Sequence, residues 1–171
     1  YARDIESASR SLLSLINDIL DFSKLEAGNM EIVPSNYELS SLLNDVISMV
    51  QMRAEQKGLS LDVDVDEELP ESLYGDELRI RQVMLNLLNN AVKYTDEGSV
   101  GLNVRGSFSS DHSVRLIIKI TDTGRGIRKE DQDKLFKTFQ RLDMQRNKTI
   151  EGTGLGLAIT HNLLELMDGT I

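Results

Sequence analysis

Apolar and polar positions alternate along this chain with two distinct periods, and the periods divide it into elements. From residue 1 to 27 the apolar positions are Ile5, Ala8, Leu12, Leu15, Ile19 and Phe22, a 3-4-3-4-3 spacing that predicts a helix with a heptad seam. Leu13, Ile16 and Leu20 add a second stripe, which widens the face to that of a bundle helix. No other segment reads as its bundle partner, so the seam is expected to meet sequence outside this chain or a second chain. Gly28-Asn29 reads as the stop. A short extended stretch is expected around Met30–Val33. Leu42, Leu43, Val46, Ile47 and Val50 then predict a helix over Leu39–Gln56, ended by Lys57-Gly58.

The period changes to two in LSLDVDVD, 59–66, which predicts a strand with one wet face. A loop at Pro70 leads to Asp76, a good N-cap for an apolar helix that continues through VMLNLLNNAVKYT, 83–95. SVGLNVRGSF (99–108) and VRLIIKITD (114–122) predict an antiparallel hairpin. A helix-like stretch follows near Gln132–Phe139, then a glycine-opened helix over Gly154–Met167, and 168–171 reads as the start of another strand. The pattern is α+β: a two-layer sandwich of a mixed or antiparallel sheet with helices on one face, preceded by a long bundle helix.

Composition narrows the class. The 171 residues hold no cysteine and only two histidines, far apart, which excludes disulfides and thiolate metal sites and makes a zinc enzyme a poor fit. A net charge of −9 argues against nucleic acid as a partner. No apolar run approaches the ~20 residues that cross a bilayer, and the lack of cysteine suits a reducing compartment. The charge is uneven. Eight acids and no base lie between Asp62 and Glu77, whereas 124–150 carries eight bases against four acids. That cationic, glycine-bounded segment could attract an anion or be a solvated loop of mixed charge.

Three segments carry candidate chemistry. At about 3.6 residues per turn, Arg79, Gln82, Asn86, Asn90 and Lys93 share one stripe of their helix while Val83, Leu87, Leu88 and Ala91 point elsewhere. Amide oxygens are hard ligands suited to Mg²⁺, Lys93 could meet a phosphate and Tyr94 a base or ribose. A polar stripe facing solvent or a neighbouring loop would read the same way. ITDTGRGI (120–127) puts Asp122 at a strand end, with Gly124 and Gly126 permitting a close turn; ordinary turns share this composition. EGTGLGLAIT (151–160) runs glycines into a helix, aiming backbone N–H groups at an anion or merely capping a flexible loop.

In order and in residues these segments resemble the catalytic domain of sensor histidine kinases, of the Bergerat-type ATPase superfamily that also includes DNA gyrases. MLNLLNNAVKYT resembles the N box, DTGRGI the first glycine box, LFKTFQRLD (135–143) the F box and GTGLGLAIT the second glycine box. INDILDFSKLEAG resembles the second helix of the family's dimerisation bundle, so the resemblance covers nearly the whole chain. It implies two regions: residues 1–28, part of the dimerisation and phosphoacceptor bundle, and residues 29–171, an ATP-binding catalytic domain whose last strands lie beyond Ile171.

The resemblance also implies roles. Asn90 ligands Mg²⁺, Asn86 assists phosphate and metal binding, Lys93 contacts phosphate and Tyr94 lies against the nucleotide. Asp122 accepts from the adenine amino group. Gly124, Gly126, Gly152, Gly154 and Gly156 shape the pocket and its lid, with Ile127, Thr153, Leu155 and Leu157 the remaining cofactor-binding positions of the two glycine boxes. Arg141 reaches the γ-phosphate, the basic run 124–150 forms the lid, and Phe136 and Phe139 anchor it. In the gyrase-like branch a glutamate four residues before the metal-binding asparagine activates water. Here that position is Asn86, which cannot act as a general base, so slow hydrolysis is expected.

The implied activity is transfer of the γ-phosphoryl of Mg-ATP to a histidine on a helix outside this chain, with relay to a response-regulator receiver domain. Neither His112 nor His161 fits the phosphoacceptor, so both are read as structural and the isolated chain is expected not to phosphorylate itself. In the full-length protein the N-terminal helix would form a homodimer, and DFSKLEAG and FQRLD resemble hybrid kinases. Two alternatives stand beside this reading: a degenerate kinase acting as a nucleotide-responsive dimerisation scaffold, and a gyrase-like ATPase.

Overall fold

The computed structural model describes residues 2–109, 112–132, 134–136 and 154–171. They fall into two units, Val33–Gly126 and a second made of Tyr1–Ile32 with Ile127–Ile171.

In the first unit, strand β1 (Ser35–Glu38) leads directly into helix α2 (Leu39–Gln56), the long N-terminal helix being α1 (Ala2–Glu26). β2 (Ser60–Val65), β3 (Ser72–Gly75), helix α3 (Glu77–Tyr94), β4 (Ser99–Phe108) and β5 (Val114–Asp122) follow. β4 is the centre of a three-stranded mixed sheet, parallel to β2 and antiparallel to β5, with Val63 opposite Leu102 and Leu102 opposite Ile120. β1 and β3 form a separate antiparallel pair.

Alternation along β4 turns Val100, Leu102 and Val104 inward, where they are buried with Leu42, Val46 and Val50 of α2 and Met84, Leu88 and Val92 of α3. Both helices therefore cover one face of the sheet. The opposite face is polar: Asp64 accepts from Asn103 Nδ2 at 2.8 Å and pairs with Arg105. The Arg105 hydrogen bond is the main cause holding the Asp64 carboxyl below the usual carboxylate range. Tyr37 is buried in the same core, and burial first, then Glu77, pushes its phenol up.

Both ends of α3 are specified locally. Asp76 is its N-cap: Oδ1 accepts the Arg79 N–H at 3.0 Å, and Oδ2 takes the Val33 N–H at 2.9 Å. Charged groups tie α3 to α2, with Arg81 pairing with both Asp45 and Glu77 and Arg53 donating to Asn89 Oδ1 at 2.6 Å.

In the second unit, α1 ends at Gly28 in the left-handed region (φ 66°), where the Asn29 N–H returns to Lys24 O. Its seam residues Ile5, Leu12, Leu15 and Ile19 are exposed. The short helix α4 (Lys129–Gln132) and helix α5 (Gly156–Leu166) complete this unit, and α1 packs beside α5. Among the described residues no helix is long and apolar enough to cross a membrane.

The structure refines several expectations. Met30–Val33 is outside any helix or strand, and strand pairing begins just after it, at Ser35, where β3 supplies a partner. That pair was not legible, because SNYE and SLYG are too short and polar to show a period. Of the helix expected near Gln132–Phe139, Gln132 is the last residue of α4 and 134–136 form a turn, while 133 and 137–139 lie outside the described residues. Residues 168–171 are not in a strand, and none of the described strands pairs with them. The inner side of β2 is also only partly covered, Val63 being 40% exposed, because β2 is an edge strand.

Candidate functional site

The site residues of the first unit gather at the C-terminal half of α3 and the end of β5. α3 is amphipathic, and burying Val83, Met84, Leu88, Ala91 and Val92 leaves Asn86, Asn90 and Lys93 half-buried on another face. The three asparagines are not equivalent. Asn89 accepts from Arg53 and serves the α2–α3 junction, whereas Asn86 and Asn90, four residues apart, stand one above the other. Lys93 Nζ lies 5.1 Å from the centre of the Tyr94 ring. Two amides, an ammonium and a phenol ring thus line one edge, a donor set suited to a polyanion with an aromatic group and to a hard cation that keeps some of its water.

The turn after β5 rests on the last turn of α3. Asp122 Oδ1 accepts the Gly124 N–H at 2.9 Å, closing an Asx turn at the strand end. A Cβ on residue 124 would lie 2.5 Å from Tyr94 O and 2.9 Å from Thr95 Oγ1, so only glycine lets the two backbones approach this closely. The Arg125 N–H reaches Tyr94 O at 3.4 Å, and the Arg125 guanidinium pairs with Asp96 at 2.6 Å. Gly126 adopts φ 65° with open space around its Cβ position. Asp122 and the N-box residues are therefore brought together by direct backbone contact.

Sequence reasoning missed three residues here. Thr95 is fully buried, and its hydroxyl donates to Ala91 O at 2.8 Å. Thr123 Oγ1 accepts the Ser99 N–H at 2.9 Å, fixing the end of β5 to the start of β4. Lys57 donates to three carbonyls at the end of α3, Val92 O at 2.9 Å, Lys93 O at 3.1 Å and Thr95 O at 2.7 Å. The threonines lie within or beside the motifs and were open to notice; Lys57 gave no signal beyond that of a helix stop.

In the second unit, Gly154 has φ 73°, Leu155 is the buried N-cap residue of α5, and Gly156 and Leu157 form its first turn. Ile127 is exposed. Phe136 packs against His161 of α5 with the rings tilted by 40° and their centres 5.3 Å apart, and His161 Nδ1 lies 3.6 Å from Glu165 Oε2. His112 occupies a left-handed position (φ 64°) between β4 and β5. Arg141, Phe139, Gly152 and Thr153 lie outside the described residues. Among the described residues no group of three or more His, Cys, Asp or Glu side chains could hold a metal ion. A hollow of about 310 Å³ is lined by Ile47, Gln51, Leu59 and Leu61, away from the asparagine face.

Comparison with known proteins places this arrangement in a family. The chain is 45% identical over 173 aligned residues to the non-motile and phage-resistance protein of Caulobacter vibrioides, covering 100% of this chain and 20% of that one. It is 38% identical over 171 residues to the signal transduction histidine-protein kinase BarA of Escherichia coli, covering 100% of this chain and 19% of BarA. The chain thus spans about a fifth of the length of these relatives. Full-length ShkA, solved in complex with AMPPNP, superposes with a TM-score of 0.80 at 33% identity, over 98% of this chain and 34% of ShkA. The histidine kinase AdeS of Acinetobacter baumannii superposes with a TM-score of 0.74 at 27% identity, over 99% of this chain and 74% of that one. Residues 75–171, which hold α3, the turn after β5 and α5, match the family described as histidine kinase-, DNA gyrase B-, and HSP90-like ATPase. That match takes in more than half of the 171 residues, and the chain belongs to this ATPase family.

Proposed function

We propose that this chain is the ATP-binding catalytic portion of a two-component sensor histidine kinase, residues 29–171, preceded by part of its dimerisation bundle, residues 1–28. The reading rests on one observation above all: Asn86, Asn90, Lys93 and Tyr94 share an edge of α3 on whose end the Asp122–Gly124 turn is seated. It is supported by the nucleotide analogue in ShkA and by the kinase relatives.

Asn90 is assigned to Mg²⁺, with Asn86 beside it, and Lys93 to phosphate. Tyr94 lies against the nucleotide, Asp122 accepts from the adenine amino group, and Gly124 and Gly126 keep the pocket floor low. Ile127, Gly152, Thr153, Gly154, Leu155, Gly156 and Leu157 are assigned to the nucleotide as well, and Arg141 to the γ-phosphate. The metal supplies charge neutralisation to the phosphates. Phosphoryl transfer needs mainly alignment and neutralised charge, which a lysine and a helix face can provide.

In the reaction an imidazole nitrogen of the acceptor bonds to the γ-phosphorus as the bond to the β–γ bridging oxygen breaks. ADP leaves, and the imidazolium so formed can lose the proton on its other ring nitrogen to solvent. Asn86 stands where a water-activating carboxylate would be needed for hydrolysis; an amide cannot take that proton, so the γ-phosphoryl is preserved for the protein acceptor. The acceptor histidine belongs to another helix, His112 being in a turn and His161 in α5 against Phe136. The exposed seam of α1 fits a homodimeric bundle. A response-regulator receiver then takes the phosphoryl group onto an aspartate.

The test is incubation with γ-labelled ATP of a chain extended to include an acceptor helix. Acid-labile, base-stable label on the protein is expected. Rapid phosphate release without protein label would contradict the reading and favour a gyrase-like ATPase.

A further inference from the structure

Four consecutive carbonyls close α3, and all four have partners outside the helix. Val92 O, Lys93 O and Thr95 O accept from the Lys57 ammonium, and Tyr94 O accepts from the Arg125 amide. An ammonium has three donors, and three acceptors at 2.7–3.1 Å surround this one. The last carbonyls of a helix lack internal partners and carry the negative end of its dipole. Lys57 therefore supplies hydrogen bonds and a positive charge where α3 most needs both.

The place is telling. Lys93 and Tyr94 belong to this turn of the helix, and Gly124 sits on it so closely that a Cβ there would meet Tyr94 O and Thr95 Oγ1. Lys57 and the 122–125 turn thus grip interleaved carbonyls of one short segment. Lys57 is itself held, as the C-cap of α2, its own N–H returning to Ala54 O at 3.0 Å. Neighbouring backbone ties the same end together: the Leu59 N–H donates to Ala54 O at 2.9 Å and the Ser60 N–H to Gly98 O at 3.1 Å.

We propose that Lys57 is a positioning residue for the nucleotide site. It fixes the α3 carbonyls on which the Asp122–Arg125 turn is seated, and it offsets the negative helix end that a polyanionic ligand has to approach. The inference deepens the ATP-binding reading and rests on it. The competing role is a plain tether between α2 and α3, and the structure offers a control for that: Arg81 also ties the two helices, through Asp45, but about 18 Å along α3 from Lys93.

The experiment compares wild type, Lys57→Met, Lys57→Arg and Arg81→Met in this chain, with Mg-ADP as ligand and with amide NMR spectra of the ligand-free protein. Lys57→Met is expected to raise the Kd for Mg-ADP by about tenfold, the loss of a charged hydrogen-bonding group. Lys57→Arg should recover most of that affinity. Arg81→Met should lower Tm comparably yet leave Kd within about twofold of wild type. In the ligand-free chain the Gly124 and Arg125 amide signals should move in Lys57→Met and stay in place in Arg81→Met. Unchanged Mg-ADP affinity in Lys57→Met, or an equal loss in Arg81→Met, would overturn the proposal. If wild type itself bound no Mg-ADP, the nucleotide reading would fail. The amide signals would then decide whether Lys57 positions the turn, and unmoved Gly124 and Arg125 signals would overturn that too.

Discussion

The carbonyl oxygen of Tyr94 lies 2.5 Å from where a Cβ of residue 124 would be. This contact joins the helix carrying the asparagines to the turn carrying Asp122. Gly124→Ala forces the two apart, an overpacking cost of about 1–3 kcal/mol. The expected result is a lower urea midpoint together with weaker nucleotide binding. Gly126→Ala, with open space at its Cβ position but φ 65°, should cost backbone strain without that clash.

Asp122 serves the turn through Oδ1, which leaves a clean way to separate structure from recognition. Asp122→Asn keeps an oxygen that can accept the Gly124 N–H, so stability should stay near wild type. An adenine amino group would lose its charged acceptor, and ADP affinity should fall by tenfold or more, about 1.4 kcal/mol upward. Calorimetry and thermal melts on the same sample check both halves. Unchanged ADP affinity would remove Asp122 from the adenine contact.

Asp76 satisfies two backbone N–H groups, those of Arg79 and Val33, from a buried position. Asp76→Ala loses the cap of α3 and orphans the second donor. The expected destabilisation is about 2 kcal/mol by urea unfolding. Asp76→Asn, with a single acceptor oxygen, should fall between the two.

On the outer face of the sheet, Asp64 sets a pH dependence. Its carboxyl is held low chiefly by the Arg105 hydrogen bond. The folded value lies below the unfolded one, so the contribution is fully present above the unfolded carboxylate pKa of about 4 and fades as pH falls through the folded value. The difference in urea midpoint between wild type and Asp64→Asn should therefore be seen at pH 7 and should shrink towards pH 3. A constant difference would contradict the assignment.

The long amphipathic elements were legible because their periods run over many residues. Leu42, Val46 and Val50 of α2 and the alternating Val100, Leu102 and Val104 of β4 are buried as their spacing requires. The cap at Asp76 was legible from chemistry, and the N-box stripe from helix geometry together with the resemblance. β1 and β3 were not, since Ser35–Glu38 and Ser72–Gly75 are strands only through each other. Lys57 was invisible for a related reason. Its partners lie 35 to 38 residues away and are backbone oxygens, which leave no trace in side-chain identity. Asn89 shows the converse: three asparagines look alike in sequence, and only packing against Arg53 separates the structural one from the two on the candidate site.

The central claim is that the asparagine face of α3 holds a nucleotide through a hard cation. Titration calorimetry with ADP, with and without Mg²⁺, on this chain and on Asn90→Ala, tests it most directly. The account predicts that Mg²⁺ strengthens ADP binding to wild type and that Asn90→Ala abolishes the strengthening while the chain stays folded. Mg²⁺-independent binding, or equal Mg²⁺ enhancement in the mutant, would contradict it.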